Sequence, residues 1–139
     1  MKPQKPIDDT GSITDFHTYL EQKYSILMSL CYDCTIDKGW WQIVLDMAKK
    51  LDDLRQEDAS IRIVQIKEKF GLLRVYLDSA EKYDDAYAIV QDAEKLSAKT
   101  CEFCGSKENV YTDPTHYVWI KTYCAKCHDS RKTWKNNCE

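Results

Sequence analysis

The sequence predicts an α+β fold, a small domain of helices and one β-hairpin followed by a C-terminal four-cysteine finger. Three observations carry this. Two amphipathic helical stripes precede two β-rich runs, a third helical stripe follows them, and residues 100–139 hold two Cys-x-x-Cys pairs. A chain of 139 residues suits one core with a small appendage. With 43% hydrophobic and 31% charged residues but only four glycines and three prolines, collagen-like, low-complexity and wholly disordered classes are excluded.

Residues 1–12, which include Pro3 and Pro6, read as a flexible arm. Ser12 or Thr14 is then expected to cap a helix in which Phe16, Leu20, Tyr24, Leu27 and Cys31 recur at helical spacing. Trp40, Val44, Met47, Ala48, Leu51 and Leu54 form the apolar stripe of a second helix, and both Trp40 and Trp41 are read as core anchors. The runs 61–67 and 72–78, joined through Glu68-Lys69-Phe70-Gly71, read as an antiparallel hairpin with Leu73, Val75 and Leu77 on one face. After Asp84-Asp85, a third helix carries Ala86, Ile89, Val90, Ala93 and Leu96. Residues 13–99 are therefore one α+β domain. The short junction at 97–100 predicts that the finger, 100–139, docks on it.

Seven cysteines stand out, six of them in pairs at Cys31/Cys34, Cys101/Cys104 and Cys124/Cys127, with Cys138 near the end. The start lacks the apolar stretch of a signal peptide and no apolar run is long enough to span a membrane, so a cytoplasmic location is expected. Among reducing thiols, paired cysteines point to metal rather than to disulfides. The second and third pairs are separated by the 19 residues from Gly105 to Tyr123, a spacing that lets four sulfurs reach one tetrahedral ion. Cys101, Cys104, Cys124 and Cys127 are thus the predicted ligands of one structural zinc ion, in a treble-clef or zinc-ribbon finger. Strands at 109–112 and 117–120 flank Asp113-Pro114, and a short helix that begins near the Cys124/Cys127 pair and carries it is expected. Cys31, Cys34 and Cys138 are read as structural or incidental thiols without a second ion.

The stretch Cys124-Ala125-Lys126-Cys127-His128 also satisfies the covalent haem pattern. Haem attachment follows export and would leave the upstream pair without purpose, so no haem is expected. A His-Asn-His nuclease shares the treble clef, but here only Asp113, His116 and His128 are available for its hydrolytic centre.

The segments Gly39-Trp40-Trp41, then 65–76 (Gln-Ile-Lys-Glu-Lys-Phe-Gly-Leu-Leu-Arg-Val-Tyr), then 93–105 with Cys101-Glu102-Phe103-Cys104-Gly105, resemble a family of small uncharacterised zinc-finger proteins of bacteria and their phages. The resemblance spans about residues 39–127 and implies origin and architecture. It departs at Cys31/Cys34, a pair not associated with that family, and at Asp37-Lys38, where a glycine-rich turn would be expected.

Two functions compete. A protein-interaction module, an adaptor or inhibitor, needs no catalytic group, and the chain offers no nucleophile–base pair, phosphate-cradling loop or open metal site. A nucleic-acid-binding finger would use Lys121, Lys126, Arg131 and Lys132 with Trp119 and Trp134 to contact phosphates and stack on bases. A net charge of -3 and pI near 5.6 weigh against it. On the hairpin, Lys69 and Arg74 are the candidate contacts. No membrane partner and no enzymatic activity are expected.

Overall fold

Asp15 begins the first helix, α1 (Phe16–Lys23), because its carboxylate accepts the backbone N–H groups of His17 and Thr18. The computed structural model describes residues 15–112 and 120–129. The expected arm and the caps Ser12 and Thr14 lie outside the described residues. The helix is shorter than its apolar stripe, ending at Lys23 rather than reaching Cys31. Leu27, Met28 and Cys31 are nevertheless buried. The Leu27 carbonyl accepts the N–H of Ile63 at 2.9 Å, a long-range bond that a continued helix would not allow.

A short strand, β1 (Asp33–Thr35), comes next and lies parallel to β2 (Arg62–Lys69), with Cys34 opposite Ile66. Nothing in the pattern of Asp33-Cys34-Thr35 announces a strand, since parallel pairing is supplied by its neighbour. Between them a 3-10 turn, Lys38–Trp40, leads into α2 (Trp41–Leu54). β2 pairs antiparallel with β3 (Leu72–Asp78) as the alternation predicts, giving the sheet order β1-β2-β3. Lys69 opposes Leu72, which leaves Phe70 and Gly71 as a two-residue turn. Both have positive φ, at 55° and 81°, as a primed hairpin turn demands. α3 (Tyr83–Ser97) packs on β3 and α2. The core includes Leu20, Trp40, Leu51, Ile63, Ile66, Leu73 and Val90, all fully buried. Trp41 is buried as well, its ring stacked on Phe16 at 4.9 Å. Leu96, expected on the apolar stripe of α3, is instead half exposed, and Ser97 is buried because its hydroxyl accepts the N–H of Leu73 on the free edge of β3. Glu94 accepts that of Val75 in the same way, so α3 covers the edge with side-chain acceptors.

Asp58 organises the junction between α2, β2 and α3. One carboxylate oxygen accepts the Glu81 and Lys82 backbone N–H groups, both at 2.9 Å, and the Ser79 hydroxyl, while the other accepts from Ser60. Lys82 has no side-chain cap for α3, so Asp58 does this from a distance in sequence. The Ser60 hydroxyl first, then Ser79 and these backbone donors, hold its carboxyl well below the usual carboxylate range. A carboxyl depressed in the folded state stabilises the fold above its unfolded pKa, near 3.9, and that contribution is lost as pH falls through the folded value. Asp58→Asn should therefore lower the thermal midpoint at pH 7, with the gap to wild type narrowing as pH falls below about 4. Equal midpoints at pH 7 would contradict this role.

In the finger, β4 (Val110–Thr112) pairs antiparallel with β5 (Thr122–Cys124) and 125–129 are helical. The second strand lies later than the expected 117–120, of which 117–119 fall outside the described residues. The pairing of Val110 with Cys124 sets the register instead, bringing the third cysteine pair to the ribbon's end. Hydrogen bonds and an ion pair join finger and domain. The Gly39 N–H donates to the Glu102 carbonyl at 2.7 Å, and the buried Trp40 Nε1 donates to the Thr100 carbonyl at 2.9 Å. The Thr122 hydroxyl donates to the Gly71 carbonyl, and Lys121 Nζ lies 3.2 Å from Glu68. No helix among the described residues is long and apolar enough to cross a membrane.

Candidate metal centre

The first cysteine pair of the finger sits on a knuckle. The Cys101 N–H donates to the Ser106 carbonyl and the Gly105 N–H to the Cys101 carbonyl, closing a turn in which Gly105 takes a φ of 83°. Cys124 ends β5, and Cys127 lies on the helical turn after it. The ribbon thus carries one pair to the other. All four Sγ atoms lie within 4.8 Å of one another, and those of Cys104 and Cys124 are 3.7 Å apart. Sulfurs bound at about 2.3 Å to one tetrahedral ion would be separated by about 3.8 Å. The four side chains therefore converge on a point that could hold a metal ion and would fill its coordination sphere.

The backbone N–H of Cys127 is aimed at the Cys124 sulfur and lowers that thiol to about 7, so the thiolate a ligand must provide is most accessible there. Burial pushes the Cys127 thiol up. Cys101 is fully buried and Cys124 nearly so, together with Tyr123. The ligands make up most of the finger's own core. No family model, characterised protein or solved structure matches the chain.

Among the described residues, this is the only group of three or more histidine, cysteine or acidic side chains that converges in this way. Cys31 and Cys34 lie apart from it, Cys31 behind α1 and Cys34 on β1. Burial raises both thiols, that of Cys34 to about 12. They are protonated at neutral pH. Cys138 lies outside the described residues.

The candidate contact residues separate into several kinds. Lys69 is exposed at the hairpin tip, over the ring of Phe70, and Arg74 lies 3.9 Å from Glu94. Lys126 is exposed on the helical turn between the two ligands of the third pair. Lys121 differs from the role expected of it. It is 16% exposed and set between Glu68 and Glu102, so its charge serves the joint between finger and hairpin. Trp119, Arg131, Lys132 and Trp134 lie outside the described residues, as do Asp113 and His116 of the nuclease reading. His128, its third member, is buried beside the Tyr111 ring at 5.0 Å.

Two residues that matter here had no sequence signal as site residues. Glu102, between the first two ligands, is only 2% exposed, although acidic residues at such positions usually face water. Gly39 approaches the knuckle so closely that an added Cβ would lie 2.1 Å from the Cys101 carbonyl oxygen.

Proposed function

We propose that the protein is a non-catalytic protein-interaction module, an adaptor or inhibitor, whose finger is built on one structural zinc ion. Four thiolates are soft donors that suit zinc, and a sphere closed by them leaves no position for water or substrate. A bacterial or phage origin belongs to the same proposal and rests on the sequence resemblance alone.

The observation that carries the interaction reading is Phe70. It is 62% exposed at the hairpin tip, in a left-handed conformation with φ of 55°, where asparagine or glycine would be favoured. Such a backbone costs a non-glycine residue roughly 1–2 kcal/mol. An exposed aromatic ring kept at that cost supports selection for contact rather than for stability. Phe103 and Tyr111 on the finger are also about half exposed, and aromatic side chains are enriched at protein interfaces.

Phe70→Asn should raise stability by about 1 kcal/mol, read as a higher urea midpoint, because it relieves the turn. The same substitution should abolish recovery of the partner that wild-type protein captures from its source cells. Unchanged capture would count against the hairpin tip as the contact. A nucleic-acid reading draws support from Lys69, Lys126, Arg131 and Lys132. Binding of labelled duplex or single strand that falls steeply with salt would favour it over the interaction module. Magnesium- or manganese-dependent DNA cleavage by the pure protein, lost in His128→Ala, would favour the nuclease.

A further inference from the structure

The hairpin has one closed face and one open face. Ile66, Leu73 and Val75 turn into the core and are buried, so alternation sends Lys67, Lys69, Arg74 and Tyr76 to the other side. There Lys67 stands directly opposite Arg74 across the strands, with Lys69 two residues further along β2. Like charges set opposite each other destabilise a sheet. Among the described residues, neither Lys67 nor Lys69 has a carboxylate within ion-pair distance, and Arg74 reaches only Glu94, at 3.9 Å. Asp33, on the neighbouring β1, has its carboxylate engaged by Thr35 and Gln65. Three cations thus share one loosely held carboxylate.

Beyond Arg74 the open face runs into a cleft of about 370 Å³ between β3 and α3, lined by Tyr76, Tyr83 and Tyr87. Each of these tyrosines is between 43% and 47% exposed, and Tyr83 and Tyr87 stack with ring centroids 6.0 Å apart. Lys69 opposite Leu72, then Lys67 opposite Arg74, then Tyr76 follow one another at every second residue. That is the side-chain repeat of an extended chain, roughly 6.6 Å.

We propose that this face receives an extended acidic segment of a partner protein, with carboxylate side chains two residues apart on Lys69 and on the pair of Lys67 and Arg74, and an aromatic side chain two residues beyond in the tyrosine cleft. The inference rests on the interaction reading above and names the partner's chemistry. Arginine engages a carboxylate through two parallel hydrogen bonds, and tyrosine and arginine are the side chains that most often anchor interfaces. A nucleic-acid strand is disfavoured because the basic surface is short. Asp78 ends β3, and Asp84 and Asp85 stand in the first turn of α3, where they would repel the phosphates of a continuing polyanion.

Fluorescence anisotropy of the metal-loaded full chain with a labelled, end-blocked peptide tests this. The peptide is phenylalanine-threonine-glutamate-threonine-glutamate-threonine-phenylalanine, which reads alike in both directions. It should bind with a dissociation constant of about 0.1 mM or tighter at low salt. Replacing both glutamates by glutamine, or both phenylalanines by alanine, should weaken it by about tenfold and several-fold respectively. Lys67→Gln and Arg74→Gln should each weaken it by about tenfold, with the urea midpoint of Lys67→Gln no lower than that of wild type, since a repulsion is removed. Lys49→Gln and Lys50→Gln, at exposed positions on α2, should leave binding unchanged. The proposal is overturned if the peptide does not bind, if Lys67→Gln and Arg74→Gln bind it as wild type does, if the α2 variants lose as much, or if a short oligothymidylate binds more tightly than the peptide. Failure of the peptide while Phe70→Asn still abolishes partner capture would end this inference and leave the interaction module standing. Peptide binding with capture unaffected by Phe70→Asn would instead count against the hairpin tip and support the open face.

Discussion

Cys104→Ser and Cys127→Ser are each expected to abolish metal retention and to leave the finger unfolded. The finger's buried cluster is Cys101, Tyr123 and Cys124, with Val110 and Cys127 packed against it, so three of five members are ligands. Its sheet is two strands of three residues each. A ribbon that short has no independent stability in water, and the ion must supply what the core lacks. For structural zinc in small fingers this amounts to on the order of 10–16 kcal/mol. Three thiolates would leave the ion open to water and weaken a fold that has no reserve. Elemental analysis should find one zinc per chain in wild type and in Cys31→Ser, and close to none in the two ligand variants. Full retention in both would refute the assignment. The loss should also reach the α+β domain, lowering its thermal midpoint, because Trp40 at its centre is bonded to Thr100 at the base of the finger.

A substitution at Gly39 should do comparable damage from the other side of the joint. Its Cβ would meet the Cys101 and Glu102 carbonyl oxygens at 2.1 and 2.3 Å. Those atoms belong to backbone, so neither can swing aside as a flexible side chain would. Relief requires separating the knuckle from the start of α2, which also breaks the Gly39 to Glu102 hydrogen bond. Gly39→Ala should therefore cost about 4 kcal/mol or more, beyond the usual range for a single change. It should also speed zinc loss to a chelator. Gly105→Ala makes a useful comparison, since its Cβ would come no closer than 3.4 Å to Gly39. Its cost should be limited to the left-handed backbone, about 1–2 kcal/mol. Equal effects at the two glycines would show that the close approach at Gly39 is not what matters.

The four ligands were legible because metal coordination restricts both residue type and spacing, and two Cys-x-x-Cys pairs satisfy both restrictions along the chain. The hairpin was legible for a similar reason, as Leu73, Val75 and Leu77 alternate with Arg74, Tyr76 and Asp78 beside a turn containing Gly71. β1 was not, because three residues of mixed character become a strand only through the hydrogen bonds that β2 offers. The end of α1 was hidden as well. Helical periodicity continues to Cys31, and the competing bond between Leu27 and Ile63 comes from a residue far along the chain.

By itself, then, the sequence determined the features that local periodicity and ligand chemistry dictate, namely the α+β class, the three helices, the hairpin and the cysteine set. The tertiary structure alone decided how finger and domain join. Glycine at position 39 is compatible with many loops, and only the knuckle's backbone against it makes the missing side chain essential. Lys121 and Glu102 read as ordinary surface charges, and both are turned inward because folding brings them beside Glu68 and Asp37. The reason is physical: periodicity and spacing record how a residue relates to its neighbours in sequence, whereas burial, charge pairing and steric closeness depend on groups that only the folded chain brings together.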